Sequence, residues 1–112
     1  METIYDYLEQ QVALHPDAPA VSDVHSSLTF KELDRLASQI AVSFPGQPKR
    51  IGVAMNHGVE MIASLFAIVK IGAAYVPVEP SFPADRIRFM MNECQVDFVL
   101  TEPEYAETVS YT

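Results

Sequence analysis

The feature that most constrains the fold is an alternation of short apolar runs and helical patterns through the second half of the chain. The run 50–55 is apolar after its first residue, Arg50, which is typical of a strand buried on both faces. The connections between the apolar runs are long enough to contain a helix, and connections of that length favour parallel strands joined by right-handed crossovers. The order strand–helix–strand–helix–strand therefore predicts an α/β fold: a small three-layer, mostly parallel sheet with helices on both faces. The predicted strands are 50–55, 73–78 and 96–101, and the predicted helices run from Val59 to about Ile71 and from Pro83 to about Cys94.

The first half of the chain predicts an N-terminal helix, a short hairpin and a second helix. Thr3 and Asp6 have the spacing of a capping box at the start of the first helix. Two short strands, 20–23 and 27–30, flank a polar turn. Thr29 and Glu32 form a second capping box, and apolar residues recur after it at helical spacing until Pro45.

Composition limits the classes of protein that this sequence can belong to. The chain has 112 residues, enough for one small domain. Its net charge of −8 argues against a nucleic-acid or anionic-membrane surface. A single cysteine, Cys94, allows neither an internal disulfide nor a cysteine-based zinc cluster, and it favours a cytoplasmic setting. The first residues do not resemble a secretory signal, and no apolar run approaches the roughly 18–20 residues of a membrane span.

Motifs that would carry chemistry are not found. The four glycines do not form a G-x-G-x-x-G or P-loop pattern. The turn 56–58 could hold an anion weakly, but a simple strand-to-helix turn explains it better. Cys94 is expected to be a small buried hydrophobe. No catalytic, cofactor-binding or metal-binding residue is therefore assigned. The other residues considered were the histidines His15, His25 and His57, the serines, and the predicted strand ends Asn56, Glu79 and Thr101.

Two segments resemble core motifs of adenylation domains of nonribosomal peptide synthetases. Residues 28–33 (LTFKEL) resemble the first core motif, and residues 69–80 (VKIGAAYVPVEP) resemble the second. The resemblance covers residues 1 to about 102, with the motifs in order and at the right spacing. It departs at Phe30, Ile71 and Glu79, where tyrosine, alanine and aspartate are usual, and at the pair His57–Gly58.

The resemblance implies an enzyme that activates a carboxylic acid, usually an amino acid, with ATP and Mg²⁺. Such an enzyme passes the acyl group to the phosphopantetheine thiol of a carrier protein. The family's phosphate loop, ribose-binding region, specificity pocket and catalytic lysine have no counterpart in this sequence. Residues 1–102 are accordingly interpreted as the N-terminal portion of the large subdomain, and residues 103–112 as a polar tail.

Two main functions remain open at this point, and a third alternative is a small binding domain that still holds a nucleotide. The chain is either part of an adenylating enzyme that is inactive alone, or a non-catalytic docking module that self-associates. The expected partner in the first case is the remainder of an adenylation domain or synthetase, in cis or in trans, with a carrier protein only for the complete enzyme. A homo-oligomer is expected in the second case. Neither function predicts a nucleic-acid or membrane partner, and neither gives the fragment a cofactor of its own.

Overall fold

The computed structural model describes residues 3–102, which form four helices and five strands. The predicted order of elements is confirmed along the whole of this range. The elements are α1 (Ile4–Leu14), β1 (Pro19–Ser22), β2 (Ser27–Thr29), α2 (Phe30–Ser43), β3 (Arg50–Ala54), α3 (Val59–Lys70), β4 (Ala74–Pro77), α4 (Ala84–Cys94) and β5 (Phe98–Thr101). The predicted polar tail, 103–112, lies outside the described residues.

Both predicted capping boxes are present. The Thr3 side chain accepts a hydrogen bond from the Asp6 N–H, and the Asp6 carboxylate accepts one from the Thr3 N–H. Thr29 and Glu32 make the same reciprocal pair at the start of α2. Each box satisfies two backbone donors that a helix start leaves without partners. These boxes fix where α1 and α2 begin.

The main sheet has three parallel strands in the order β4-β3-β5. Ile51 is paired with Tyr75 of β4 on one side and with Phe98 of β5 on the other. The β1–β2 hairpin is antiparallel and forms a separate two-stranded sheet. Thus β3 is the central strand, and all its residues after Arg50 are buried.

Side chains alternate along β3 between the two helical layers. Ile51 and Val53 pack into the cluster that includes Ile68 of α3. Ala54 packs with Ile87 and Met91 of α4 on the opposite face. This arrangement confirms the predicted three layers with helices on both faces of the sheet.

Helix α3 lies between the sheet and an outer layer made by α1, α2 and the hairpin. Ala63 is buried against Tyr5 and Leu8 of α1 and Leu33 of α2. The apolar residues around most of α3 are explained by these neighbours, as expected for a helix covered on more than one side.

Element ends differ from the sequence predictions by one or two residues. Helix α4 begins at Ala84, so Pro83 is its N-cap residue and not part of its first turn. Pro77 is the last residue of β4, which is an edge strand, as expected for a residue without an N–H donor. Gly72 follows α3 with a φ of +78°, a conformation that favours glycine at a helix end. Within residues 3–102, no helix is long and apolar enough to cross a membrane.

Candidate functional site

The carboxyl ends of parallel strands are the usual position of ligand sites in α/β sheets. At this edge the turn after β3 meets the turn of the hairpin, and Glu102 follows β5. Together they line a cleft of about 310 Å³. It is the best candidate for a site among the described residues. The polar side chains that line it are Asp23, His25, Ser26, Asn56, His57, Glu60 and Glu102.

The carboxylate of Asp23 occupies the N-terminus of α3. Its Oδ2 accepts a hydrogen bond from the Val59 N–H at 3.0 Å. Its Oδ1 accepts bonds from the N–H groups of His25 and Ser26, both at 2.8 Å. These donors hold the pKa of Asp23 below its ordinary value, and the Val59 N–H has the largest effect. The hairpin is therefore attached to α3 through one ionised side chain.

Gly58 is required for this contact. It is the N-cap residue of α3 and offers no side-chain hydrogen bond to the helix. A Cβ atom at Gly58 would lie 2.7 Å from the Oδ2 of Asp23, closer than such atoms approach. Its φ of 175° is extended, so space and not backbone strain is what favours glycine here.

The arrangement at the turn 56–58 does not fit a phosphate group. A phosphate at a helix N-terminus needs free N–H donors, and the Val59 N–H already donates to Asp23. Asp23, Glu60 and Glu102 bring three carboxylates to the cleft, and its described lining includes neither lysine nor arginine. The sequence interpretation of this segment as a turn agrees with that geometry.

Of the three predicted strand-end residues, Asn56 and Thr101 link neighbouring elements at the sheet edge, and the three do not converge on one point. The Asn56 amide donates to the Glu102 carboxylate at 2.9 Å. The Thr101 hydroxyl donates to the carbonyl of Ala54 at 2.8 Å, linking β5 to β3. Glu79 accepts a bond from the Ser81 N–H in its own loop. In the described part of the chain, no three His, Cys, Asp or Glu side chains are grouped so that they could hold a metal ion.

A second polar cluster joins α1 and α2 of the outer layer to α3. The Tyr5 hydroxyl donates a short hydrogen bond to the Asp34 carboxylate. The Lys70 Nζ donates to the Tyr5 hydroxyl at 3.0 Å and to the Ser38 hydroxyl at 2.8 Å, and it lies 4.9 Å from the centre of the Tyr5 ring. The bond to Tyr5 raises the pKa of Lys70. These contacts link α1, α2 and α3 to one another.

The three histidines and Cys94 are the next residues considered from the sequence. His15 is the C-cap residue of α1, whereas His25 and His57 both line the cleft. Cys94 is only half-buried, at the last position of α4, and the expectation of a buried side chain is wrong in degree. Its position at the end of the helix explains this, because the buried residues of α4 are Ile87 and Met91, which lie two turns and one turn earlier.

Sequence reasoning did not find the role of Asp23. Asp23 and Val59 are 36 residues apart, so no local pattern joins them. One signal was available: the predicted start of α3 has glycine where Ser, Thr, Asp or Asn usually supplies the cap. The N–H groups of such a helix start need a partner from elsewhere in the fold.

Comparisons with known proteins agree with this fold along nearly the whole chain. The family model for AMP-binding enzymes matches residues 8–111. Gramicidin S synthase 2 of Brevibacillus brevis is 39% identical over 106 residues, which cover 91% of this chain and 2% of that protein. Polyketide synthase PksN of Bacillus subtilis is 35% identical over 111 residues, covering 96% of this chain and 2% of that protein.

Solved structures give the same result. The nonribosomal peptide synthetase FmoA3, solved with AMPPNP bound, is 26% identical and superposes with a TM-score of 0.86 over 97% of this chain and 12% of its own. The anthranilate CoA ligase AuaEII shares the fold, with a TM-score of 0.88 at 19% identity over 96% of this chain and 22% of its own. Fold and superpositions thus define part of the N-terminal subdomain of an adenylate-forming enzyme.

The family follows from the sequence match. This chain belongs to the AMP-binding enzyme family, and its similarity is to the adenylation domains of nonribosomal peptide synthetases. It spans 2% of the length of the two curated relatives named above. It therefore corresponds to one segment of a much larger kind of protein.

Proposed function

We propose that this chain forms the N-terminal part of an amino-acid adenylation domain. The observation that carries the proposal is the superposition on FmoA3 bound to alpha-methyl-L-serine-AMP, which extends over 99% of this chain and 13% of that protein. The complete domain would use ATP and Mg²⁺ to activate a carboxylic acid. It would then deliver the acyl group to a carrier protein.

The role proposed for residues 3–102 is structural. Phosphoryl and adenylyl chemistry needs cations and hydrogen-bond donors placed around the reacting phosphate. In the cleft at the carboxyl edge of the sheet, the Asp23 carboxylate already accepts a hydrogen bond from the N–H of Val59 at the start of α3. Glu60 and Glu102 add negative charge there. We therefore expect the chain to be inactive alone and to supply a packed sheet on which the rest of the domain assembles.

A chimeric enzyme tests the proposal. Residues 8–111 replace the matching segment of FmoA3, and ATP–pyrophosphate exchange is measured with alpha-methyl-L-serine as substrate. The specificity pocket and the phosphate loop come from FmoA3 in this design. We expect the chimera to catalyse substrate-dependent exchange, because the replaced segment has the same fold.

Two controls make the result decisive. The 112-residue chain alone is assayed at the same concentration, and we expect no exchange above the blank. A second chimera takes the matching segment of AuaEII, which shares the fold at 19% identity to this chain. Substrate-dependent exchange by the chain alone would refute the structural role. A folded but inactive chimera of this chain would refute its assignment to an amino-acid adenylation domain.

A further inference from the structure

A second cavity lies beside the cleft at the carboxyl edge of the sheet, at the ends of β3 and β4. Its volume is about 290 Å³, and His57 and Met61 line both it and the cleft. Glu79 is the one carboxylate among its described lining residues, and it accepts a hydrogen bond from the Ser81 N–H in its own loop. Mg²⁺ and Ca²⁺ take several oxygen ligands, so this cavity does not suit them.

Three of the five methionines of the chain line this cavity. Met55 follows β3 and Met61 lies on α3, and both pack in the cluster on the α3 side of the sheet. Met90 lies on α4 and packs with the cluster on the opposite side. His57 lies in the turn between β3 and α3. The fold thus brings three thioethers and one imidazole from separate segments to the same cavity.

The exposure of these four side chains suits an ion that enters from solvent. Met61 and Met90 are half-buried and His57 is exposed, so an ion reaches them without unfolding of the chain. Met55 is buried, and its Sδ lies 3.7 Å from the hydroxyl oxygen of Ser64 on α3. Ser64 is one turn of helix from Met61. Methionine side chains have three rotatable bonds, so the sulfurs of Met61 and Met90 can adjust to a shared ion.

Thioether and imidazole groups together are ligands for soft metal ions. Thioether sulfur selects Cu(I), and imidazole also binds copper. The charge nearby favours a cation, because Asp23, Glu60 and Glu102 line the adjoining cleft. Neither lysine nor arginine is among the described lining residues of the cleft or of the cavity.

We propose that the three cavity thioethers and the imidazole of His57 bind a soft monovalent metal ion, Cu(I). The sulfurs of Met55 and Met61 hold the ion from the α3 side of the sheet, and that of Met90 holds it from the α4 side. Cu(I) binding goes beyond the adenylating function proposed above and does not depend on it.

Competition for Cu(I) tests the site. Cu(I), kept reduced by ascorbate in the absence of oxygen, is partitioned between the 112-residue chain and a chromophoric Cu(I) chelator. Every protein carries Cys94→Ala, because the half-buried thiol of Cys94 is itself a soft ligand. We expect one Cu(I) per chain. Zn²⁺ should bind at least about tenfold more weakly, because it prefers thiolate, imidazole and carboxylate ligands to thioethers.

Substitutions of similar volume identify the donors. Met61→Leu and Met90→Leu each remove a sulfur and nearly keep the side-chain volume, so the fold should be retained. Each should weaken Cu(I) binding at least about tenfold, since even the groups behind a metal ligand contribute about 10–100-fold. His57→Gln should act in the same way. Met91→Leu is the matched control, because Met91 is buried against Gly52 outside the cavity lining, and it should leave Cu(I) binding unchanged.

Ag(I), a second soft monovalent ion, gives a readout that needs no change at the proposed ligands. NMR spectra are recorded for the Cys94→Ala chain with its methionine methyl groups labelled with ¹³C. Ag(I) should shift the methyl signals of the three cavity methionines, Met55, Met61 and Met90, and leave that of Met91 unchanged.

Four results would overturn the proposal. They are Cu(I) binding that survives both leucine substitutions in the cavity, loss of all binding with Cys94→Ala, a shift of Met91 alone on addition of Ag(I), and Zn²⁺ binding as tight as that of Cu(I). The last result would indicate a site of nitrogen and oxygen ligands. None of these measurements involves ATP–pyrophosphate exchange, so a failure of the metal site leaves the proposed function standing.

Discussion

Gly52 lies directly against Met91 across the interface between the sheet and α4. A Cβ at Gly52 would be 2.8 Å from the Met91 Sδ and 3.1 Å from a Val99 methyl carbon. The absence of a side chain on the central strand is what lets α4 approach the sheet closely. This contact gives the first prediction.

We expect Gly52→Ala to destabilise the chain by about 1–2 kcal/mol, because the added methyl group displaces Met91 from a packed site. Gly52→Val should cost about 3 kcal/mol, since the second γ-methyl group of the new valine cannot avoid Val99. The free energy of unfolding from urea denaturation measures both. Met91→Ala alone should cost about 2–5 kcal/mol by opening a cavity. The double variant Gly52→Ala/Met91→Ala should be more stable than the sum of the single changes predicts. Strict additivity would show that the two residues do not compete for space.

The second prediction concerns the dependence of stability on pH. The folded-state pKa of Asp23 is lowered, so its carboxylate stabilises the fold above the pKa of the unfolded chain, and this contribution is lost as pH falls through the folded-state pKa. Asp23→Asn should therefore lower Tm at pH 7 and change it little at pH values below the folded-state pKa. Thermal unfolding followed by circular dichroism across this range measures the difference. Asp17→Asn, at an exposed position, is the control and should change Tm little at pH 7.

The third prediction tests the contact between Gly58 and Asp23. Gly58→Ala should cost about 1–2 kcal/mol, because its Cβ would meet the carboxylate oxygen at 2.7 Å. The same substitution in an Asp23→Ala background should cost much less, since the obstructing atom is gone. Equilibrium urea unfolding of the four proteins of this cycle gives the coupling. An equal cost in both backgrounds would show that the glycine is needed for another reason.

The fourth prediction concerns the cluster that joins α1 to α2 and α3. Tyr5→Phe removes the hydroxyl between the Asp34 carboxylate and the Lys70 ammonium group, and should cost about 1–3 kcal/mol by leaving polar groups without that partner. Lys70→Met should cost about 1 kcal/mol. Urea unfolding measures both, and exposed Lys31→Met is the matched control, expected within about 0.5 kcal/mol of the parent chain. If Tyr5→Phe proves neutral, the cluster does not tie the helices together.

The order of the elements and most of their ends follow from local signals in the sequence. Thr3 and Thr29 begin their helices through contacts three residues away, and Gly72 ends α3 through its own backbone conformation. Such features depend on neighbouring residues only, so the sequence pattern contains them. The layered arrangement follows from the spacing of the strands, because parallel pairing leaves few alternatives.

The contacts between distant elements could not be predicted in the same way. Lys70 meets Tyr5 across 65 residues of chain, and nothing near either residue indicates the pair. The Asp97 carboxylate accepts bonds from the N–H groups of Arg50 and Lys49, which lower its pKa, and this link likewise appears only once β5 lies beside β3. Such contacts depend on side-chain positions that the packing of the whole fold determines.

The central place of β3 has a consequence for synthesis on the ribosome. Both of its strand partners lie later in the chain, and the position that pairs with Ile51 on β5 is Phe98, 47 residues downstream (98 − 51). At about 5–20 residues per second, roughly 2–9 seconds pass between the synthesis of these two residues. During that interval α3 can cover one face of β3 as soon as α3 emerges from the ribosome. The face that contains Gly52 is covered only after α4 has been synthesised. Until then, that face of β3 is open to contact with other proteins.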